Sequence, residues 1–275
     1  TTAIVIIADK INAKEKHEIS VNNNGALNKI EQGIIAESNY VISIDIDPPK
    51  RHLIQRLKGK SIELGSICKE MIFGVVITMN KEEVVSDNAN IGWKPFLEGK
   101  DIDAYYIKPI HSYLNYAPKL LHRSRTKEVF EAEEKLLIQR ITGGSHPLKV
   151  AYDANKYYNK ESINNIILKE DCGYDAKYIL GLLNSSLLNW FYSNQFTNQS
   201  KLTVNLSKEY LSQIPVAIAS PDIQENIIQL ANDIMKLKES NPFADIKELE
   251  KEMDRQVYEL YGLTEEEIAI VEGGE

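Results

Sequence analysis

Asp47-Pro48-Pro49 is the stretch of this 275-residue chain whose residue types come nearest to a reaction centre. A polar side chain followed by two prolines and an aromatic ring can bond the exocyclic amine of a base flipped out of a duplex while the ring stacks on that base. Here the fourth position is Lys50, which cannot stack. The chemistry fails where it most needs its ring, and the remaining reading is a strand end followed by a rigid turn.

The other tempting segments fail in similar ways. "ITGGSHP" (Ile141 to Pro147) offers two glycines, a serine and a histidine but matches neither of the glycine-rich phosphate-binding patterns. It reads as a flexible loop in which Gly143 and Gly144 could let backbone approach another molecule while Arg140 and Thr142 supply contacts. No G-x-S-x-G elbow occurs to support a nucleophilic serine. The four glutamates of "EVFEAEEK" (Glu128, Glu131, Glu133, Glu134) read as solvated charges, and no nuclease signature stands in a strand context. Cys68 and Cys172 lie far apart without histidines at metal-ligand spacing, which supports neither a disulfide framework nor a zinc site and suits a reducing, cytoplasmic setting.

Charge is more informative, because it is unevenly spread. Residues 239–275 hold twelve acidic and three basic residues, so the net charge of -8 belongs to the C-terminus and the rest of the chain carries +1. The stretch Lys108 to Lys160 holds ten basic and five acidic residues, with His111, His122 and His146 added. Such a basic stretch fits phosphates, although a solvated face has the same composition.

The elements that must position these residues fall into an α+β pattern. Region 1–56 begins with a β-type run at Ala3 to Ala8, passes the polar loop "VNNNG" and returns to a strand at "YVISIDID". With no basic leader and no initiating Met, "TTAIVIIADK" reads as a cut inside a longer protein. Region 57–218 has short β-rich segments punctuated by Gly74, Gly92, Pro95 and Gly99, a helical stretch "RTKEVFEAEEKLLIQR", strands around "VAYDANKYYN" and "INNIILK", then a helix from Ile179 to Gln195. That last segment, "ILGLLNSSLLNWFYSNQ", is interrupted by Asn184, Ser185, Ser186 and Asn189 and is too short to span a bilayer. Ile179, Leu182, Leu183, Leu187 and Trp190 share one side at helical spacing, as a core helix requires.

Region 219–275 is acidic and helical. Ser220 and Pro221 start a helix on which Ile223, Ile227, Leu230, Ile234 and Leu237 form a seam. Ile246, Leu249, Met253, Val257 and Leu260 line a second helix that stops at Gly262, and Thr264 to Glu267 spells a capping box for a third. Packing within the same domain and a helical arm for self-association are both open to such a seam.

Several separated segments, in order, suggest a family: "LGSICKEMIFGVVITMNK" (Leu64 to Lys81), "WKPFLEGKDIDAYY" (Trp93 to Tyr106), "KLLIQRITGG" with "VAYDANKYYN" (Lys135 to Asn159), "YILGLLNSSLLNWFY" (Tyr178 to Tyr192) and "LSQIPV" (Leu211 to Val216). Together with the ending "DRQVYELYGLTEEEIAIVEG" (Asp254 to Gly273), they resemble the TaqI-like C-terminal specificity domain of adenine-specific DNA methyltransferases and fused type II restriction-modification enzymes. The resemblance implies a target recognition domain at 57–218, a methyltransferase remnant and linker at 1–56, and double-stranded DNA as partner. It also implies a preceding catalytic domain that binds S-adenosylmethionine; this chain itself lacks the cofactor and catalytic motifs and should not methylate alone. Two other classes stay open: a half-length specificity subunit of a type I system, acting as a non-catalytic adaptor, and an unrelated enzyme.

For DNA, the residues expected to meet the backbone are Arg123, Arg125, Lys127 and Lys149. Those expected to meet bases or a groove are Arg140, Thr142, Ser145 and His146, with Asn198, Gln199, Ser200 and Lys201 of the "TNQSK" loop. No membrane and no metal enter this reading.

Overall fold

The computed structural model describes residues 18–23, 26–31, 48–78, 81–196 and 204–273, and contacts divide the chain into two units, Thr1–His52 and Leu53–Glu275. The expected strands at Ala3 to Ala8 and "YVISIDID" lie outside the described residues. In the first unit, β1 (Glu18–Asn23) pairs antiparallel with β2 (Ala26–Glu31), so most of the expected loop "VNNNG" is strand. Pro48 does not open a turn: it is the first residue of helix α1 (Pro48–Gly59). Proline has no N–H to lose at that position, and its fixed φ already suits a helix.

The second unit then runs through β3 (Ser61–Glu63), α2 (Leu64–Ile67), β4 (Cys68–Phe73), α3 (Lys81–Val84), β5 (Val85–Ser86), β6 (Lys94–Leu97), β7 (Ile102–Asp103), β8 (Tyr106–Ile107) and β9 (Tyr113–Leu114). It continues with α4 (Lys127–Phe130), β10 (Lys135–Gln139), β11 (Ile141–Thr142), β12 (Val150–Asp153), β13 (Tyr158–Asn159) and β14 (Ile163–Leu168). After these come α5 (Ala176–Asn184), α6 (Ser186–Phe196), β15 (Val204–Asn205), α7 (Lys208–Leu211), β16 (Pro215–Ala217), α8 (Pro221–Ser240), α9 (Lys247–Tyr261) and α10 (Glu265–Glu272).

One four-stranded antiparallel sheet has the order β12-β10-β14-β4, and a second, β13-β6-β9-β5, is built from segments that lie between its strands in the chain. The expected long helix "RTKEVFEAEEKLLIQR" is therefore mostly wrong. Only Lys127–Phe130 makes a helical turn, and Lys135–Gln139 is one of the two inner strands, hydrogen-bonded to β12 on one side and β14 on the other. Acidic residues favour a helix locally, but Leu136, Leu137 and Ile138 are completely buried. A central strand covered on both faces reads as a continuous apolar run, and each such side chain contributes about 1.5–3 kcal/mol that an exposed helix could not supply.

The expected single helix from Ile179 to Gln195 is two helices, broken at Ser185, whose backbone is extended (φ -67°, ψ 154°). The Ser185 hydroxyl donates to Leu182 O at 2.6 Å, and the start of α6 is held from outside: Asp254 of α9 accepts from the Ser186 N–H at 2.7 Å and its hydroxyl at 2.6 Å. The apolar residues named above are all buried, so the core reading of this segment stands.

The C-terminal helices pack on this same unit. On α8 the buried line is Gln224, Ile227, Ala231 and Ile234; Ile223 and Leu237, ends of the expected seam, are 45% and 41% exposed. An unsupercoiled helix repeats every 3.6 residues, so a heptad line drifts off the contact. Gln224 replaces Ile223 because its amide accepts from the Asp175 N–H and donates to Gly173 O, fixing the start of α5. Gly262 ends α9 in the left-handed conformation, and Thr264 with Glu267 forms the expected capping box. Glu267 also takes a two-pronged contact from Arg56 of α1. Among the described residues, no helix is long and apolar enough to cross a membrane.

Candidate nucleic-acid interface

Two of the basic residues selected by sequence, Arg125 and Arg140, meet on one aromatic ring, with Arg123 close to Arg125. Phe73 ends β4. Arg125 follows a backbone bridge between Val76 and Arg123 and adopts a positive φ of 60°, with the Tyr116 hydroxyl donating to its carbonyl. From there its Nε donates to Phe73 O at 2.9 Å, and its guanidinium lies 4.1 Å from the centre of the Phe73 ring. Arg140, just past the end of β10, is anchored by its N–H to Ser162 O and by its carbonyl to the Leu206 N–H. Its Nη1 donates to Glu161 O at 3.2 Å, and its guanidinium lies 4.7 Å from the same ring.

The electrostatics of this cluster are unbalanced. Among the described residues, no carboxylate oxygen lies within 4.0 Å of a side-chain nitrogen of Arg123, Arg125 or Arg140. Burial, then the charges of Arg123 and Arg140, draw the Arg125 guanidinium below its ordinary value, with Glu70 working the other way. Gathered like charges repel, so the arrangement gains stability from an anion.

Beside the arginines, β11 pairs with β15 (Ile141 opposite Asn205, Thr142 opposite Val204). The chain leaves α6 at Phe196 and is described again from Val204, so Asn198, Gln199, Ser200 and Lys201 lie outside the described residues while the strand that follows them sits against Arg140 and Thr142. The Tyr210 ring stacks on Phe196 at 4.9 Å and the Tyr192 hydroxyl donates to Asn205 O, which fixes both sides of that segment.

The remaining sequence-selected residues are elsewhere. Lys127 is exposed at the start of α4, beside Glu128 and Glu131. Lys149 pairs with Asp103 at 3.3 Å. Thr142 closes its loop by donating to Pro147 O, after which Ser145 contacts His146 Nδ1 and His146 Nε2 stands 3.5 Å from the Ser186 hydroxyl. His146 thus lines a cleft shared with Glu250 and Asp254 of α9, and Ser145 is tied to it through its contact with His146.

The polar interruptions of the apolar segment position this loop. Asn184 accepts from the Val150 N–H at 3.1 Å and donates to Val150 O at 3.0 Å, so its amide extends the edge of β12. Asn189, 1% exposed, accepts from the Leu148 N–H and donates to Ser185 O and Leu183 O. Sequence reasoning marked these asparagines as unusual but did not find their partners, and it missed Phe73 and Asp254 altogether. Two amides five residues apart on an otherwise apolar helix are the signal that main chain from another segment lies against it.

Burial raises the Asp254 carboxyl above the ordinary aspartate value, and the Ser186 hydrogen bonds only partly offset it. A carboxyl raised in the folded state contributes stability that is present below its unfolded pKa and lost as pH rises through the folded one. Asp254→Asn keeps the shape and an acceptor for Ser186 without the charge. Its stability relative to the parent in urea should therefore be greatest at pH 7 and shrink as pH falls toward 4; a gap that widens on acidification contradicts this assignment.

Among the described residues, no three His, Cys, Asp or Glu side chains gather as a metal site, and Cys68 and Cys172 are free thiols. Burial pushes the Cys68 thiol up to about 12, which keeps it unreactive at neutral pH.

Residues 94–216 match the family described as the TaqI-like C-terminal specificity domain. Over 192 residues the chain is 26% identical to a putative type II restriction enzyme and methyltransferase of Methanocaldococcus jannaschii, covering 67% of this chain and 16% of that protein. Among solved structures, the type IIL restriction-modification enzyme MmeI in complex with DNA superimposes with a TM-score of 0.54 at 12% identity, over 94% of this chain and 41% of the enzyme. The HsdS subunit from Thermoanaerobacter tengcongensis gives a TM-score of 0.39 at 13% identity, over 78% and 50%. The chain thus spans half or less of each of these three proteins.

Proposed function

We propose that this chain, which carries a TaqI-like C-terminal specificity domain of the restriction-modification type at residues 94–216, binds duplex DNA and sets the target sequence of an adenine-specific methyltransferase or methyltransferase-endonuclease. The supporting observation is the cluster of Arg123, Arg125 and Arg140, which among the described residues has no carboxylate within 4.0 Å, beside the β11–β15 ribbon. In this reading Arg123, Arg125 and Lys127 meet phosphates, while Arg140, Thr142 and the segment Asn198 to Lys201 meet base edges. Lys149, Ser145 and His146 contribute less, because each already faces a protein partner.

The reaction belongs to another part of the enzyme, preceding this chain. S-adenosylmethionine and the target adenine would be held there. The Pro-Pro segment here does not fit the adenine, since Pro48 opens α1 and Lys50 stands on that helix where a stacking ring is needed. What this chain does is grip the backbone, fix the register, and present the duplex.

Fluorescence anisotropy with a labelled random-sequence duplex tests the reading. Binding at 50 mM salt is expected to weaken as salt rises, with log K falling by about 0.9 per phosphate contact per decade. The triple variant Arg123→Gln, Arg125→Gln, Arg140→Gln should flatten that slope by about two, the two phosphate contacts, and weaken binding further through Arg140. No binding by this chain, together with indifference to DNA when the methyltransferase part is attached, eliminates the proposal.

A further inference from the structure

Phe73 is an apolar residue in an apolar strand, and nothing in its type or spacing marks it for function. Its surroundings do. Two guanidiniums share its ring, at 4.1 Å for Arg125 and 4.7 Å for Arg140, which limits their separation to about 9 Å. A guanidinium carries five N–H donors. Among the described residues, Arg125 donates its Nε to Phe73 O and Arg140 its Nη1 to Glu161 O, and no other side-chain donation of either is seen there, so most of their donors face no described acceptor.

Two like charges this close repel, and a long arginine side chain gives up rotamer freedom when held in one place. The negative face of an aromatic ring offsets part of both costs. An apolar residue without a π face, such as leucine, could fill the same half-buried volume but not hold the two cations. The ring also sits on the backbone that orients them: the Phe73 carbonyl is the acceptor for Arg125, and the Asn165 amide donates to Ile72 O one residue earlier.

We infer that Phe73 is a positioning residue: its ring holds the guanidiniums of Arg125 and Arg140 in fixed orientation, as a preorganised pair in which Arg125 meets a phosphate and Arg140 the adjacent base edge. The inference rests on the DNA-binding reading above and adds a residue to it. Its energetic basis is preorganisation, since forks already ordered in the free protein lose less freedom on binding.

The test is a double-mutant cycle, read by anisotropy on the random-sequence duplex with the thermal midpoint of each variant measured alongside. Phe73→Leu should weaken binding about 5- to 30-fold, the value of two cation–π contacts at a partly exposed site, and Phe73→Tyr should restore it. In the Arg125→Gln, Arg140→Gln background, Phe73→Leu should have no further effect. Unchanged affinity in Phe73→Leu, or an equal loss in both backgrounds, overturns the inference, the second result identifying a packing role. Failure of the parent chain to bind the duplex at all instead removes the DNA-binding reading itself.

Discussion

Gly74→Ala is expected to lower the unfolding free energy by about 3 kcal/mol or more, and with it the thermal midpoint by roughly 10 °C. A Cβ at this position would stand 2.0 Å from Asn159 O and 2.3 Å from Asn159 Oδ1. Neither neighbour can yield. The Asn159 carbonyl accepts the Val75 N–H at 2.9 Å, and its side-chain amide is locked in a reciprocal pair with Asn165, at 2.7 Å and 3.0 Å. Moving Asn159 therefore breaks buried hydrogen bonds as well as relieving the clash, and leaves groups without partners in a region where none is exposed. Because Phe73 is the preceding residue, DNA binding should fall together with stability. Circular dichroism during thermal melting measures the first effect; a midpoint within 2 °C of the parent rejects the steric account.

That expectation rests on a contact the sequence does not display. Gly74 is legible as a break after a β-rich run, but its neighbour lies 85 residues downstream. The same division holds across the chain. Pro221, Gly262 and the Thr264–Glu267 box were readable because the physics of a helix end lies within four residues. β10 was not, because its strand conformation is imposed by β12 and β14, and its acidic approach segment favours a helix when considered alone. The basic residues were found by counting charge. Their sorting was not, since Arg125 and Arg140 meet on a phenylalanine while Lys149 meets Asp103, and spacing along the chain distinguishes neither case. Asn184 and Asn189 stood out as interruptions, yet what they bind is main chain 34 to 41 residues away.

The segment "VAYDANKYYN" shows how a motif that helps to identify a family can owe its residues to the fold rather than to the ligand. Asp153 and Lys135 are both fully buried and 2.6 Å apart across the β10–β12 ladder. Asp153 also accepts from the Asn155 and Tyr157 N–H groups, which shapes the turn after β12, and Lys135 donates to Phe130 O, which closes the end of α4. Burial draws the Lys135 ammonium below its ordinary value, and Asp153 opposes that effect. Removing Asp153 alone strands a buried ammonium and frees two backbone donors, so Asp153→Ala should cost about 3–5 kcal/mol in urea unfolding. Lys135→Met should cost less, because the carboxylate keeps its two backbone donors. Lys135→Met with Asp153→Asn should recover part of the loss, since no uncompensated charge remains and the asparagine can still accept from the turn. If the double variant is as unstable as the two single losses added together, the pair acts as two independent anchors, and the turn from Ala154 to Tyr157 rather than the ion pair holds this edge of the sheet.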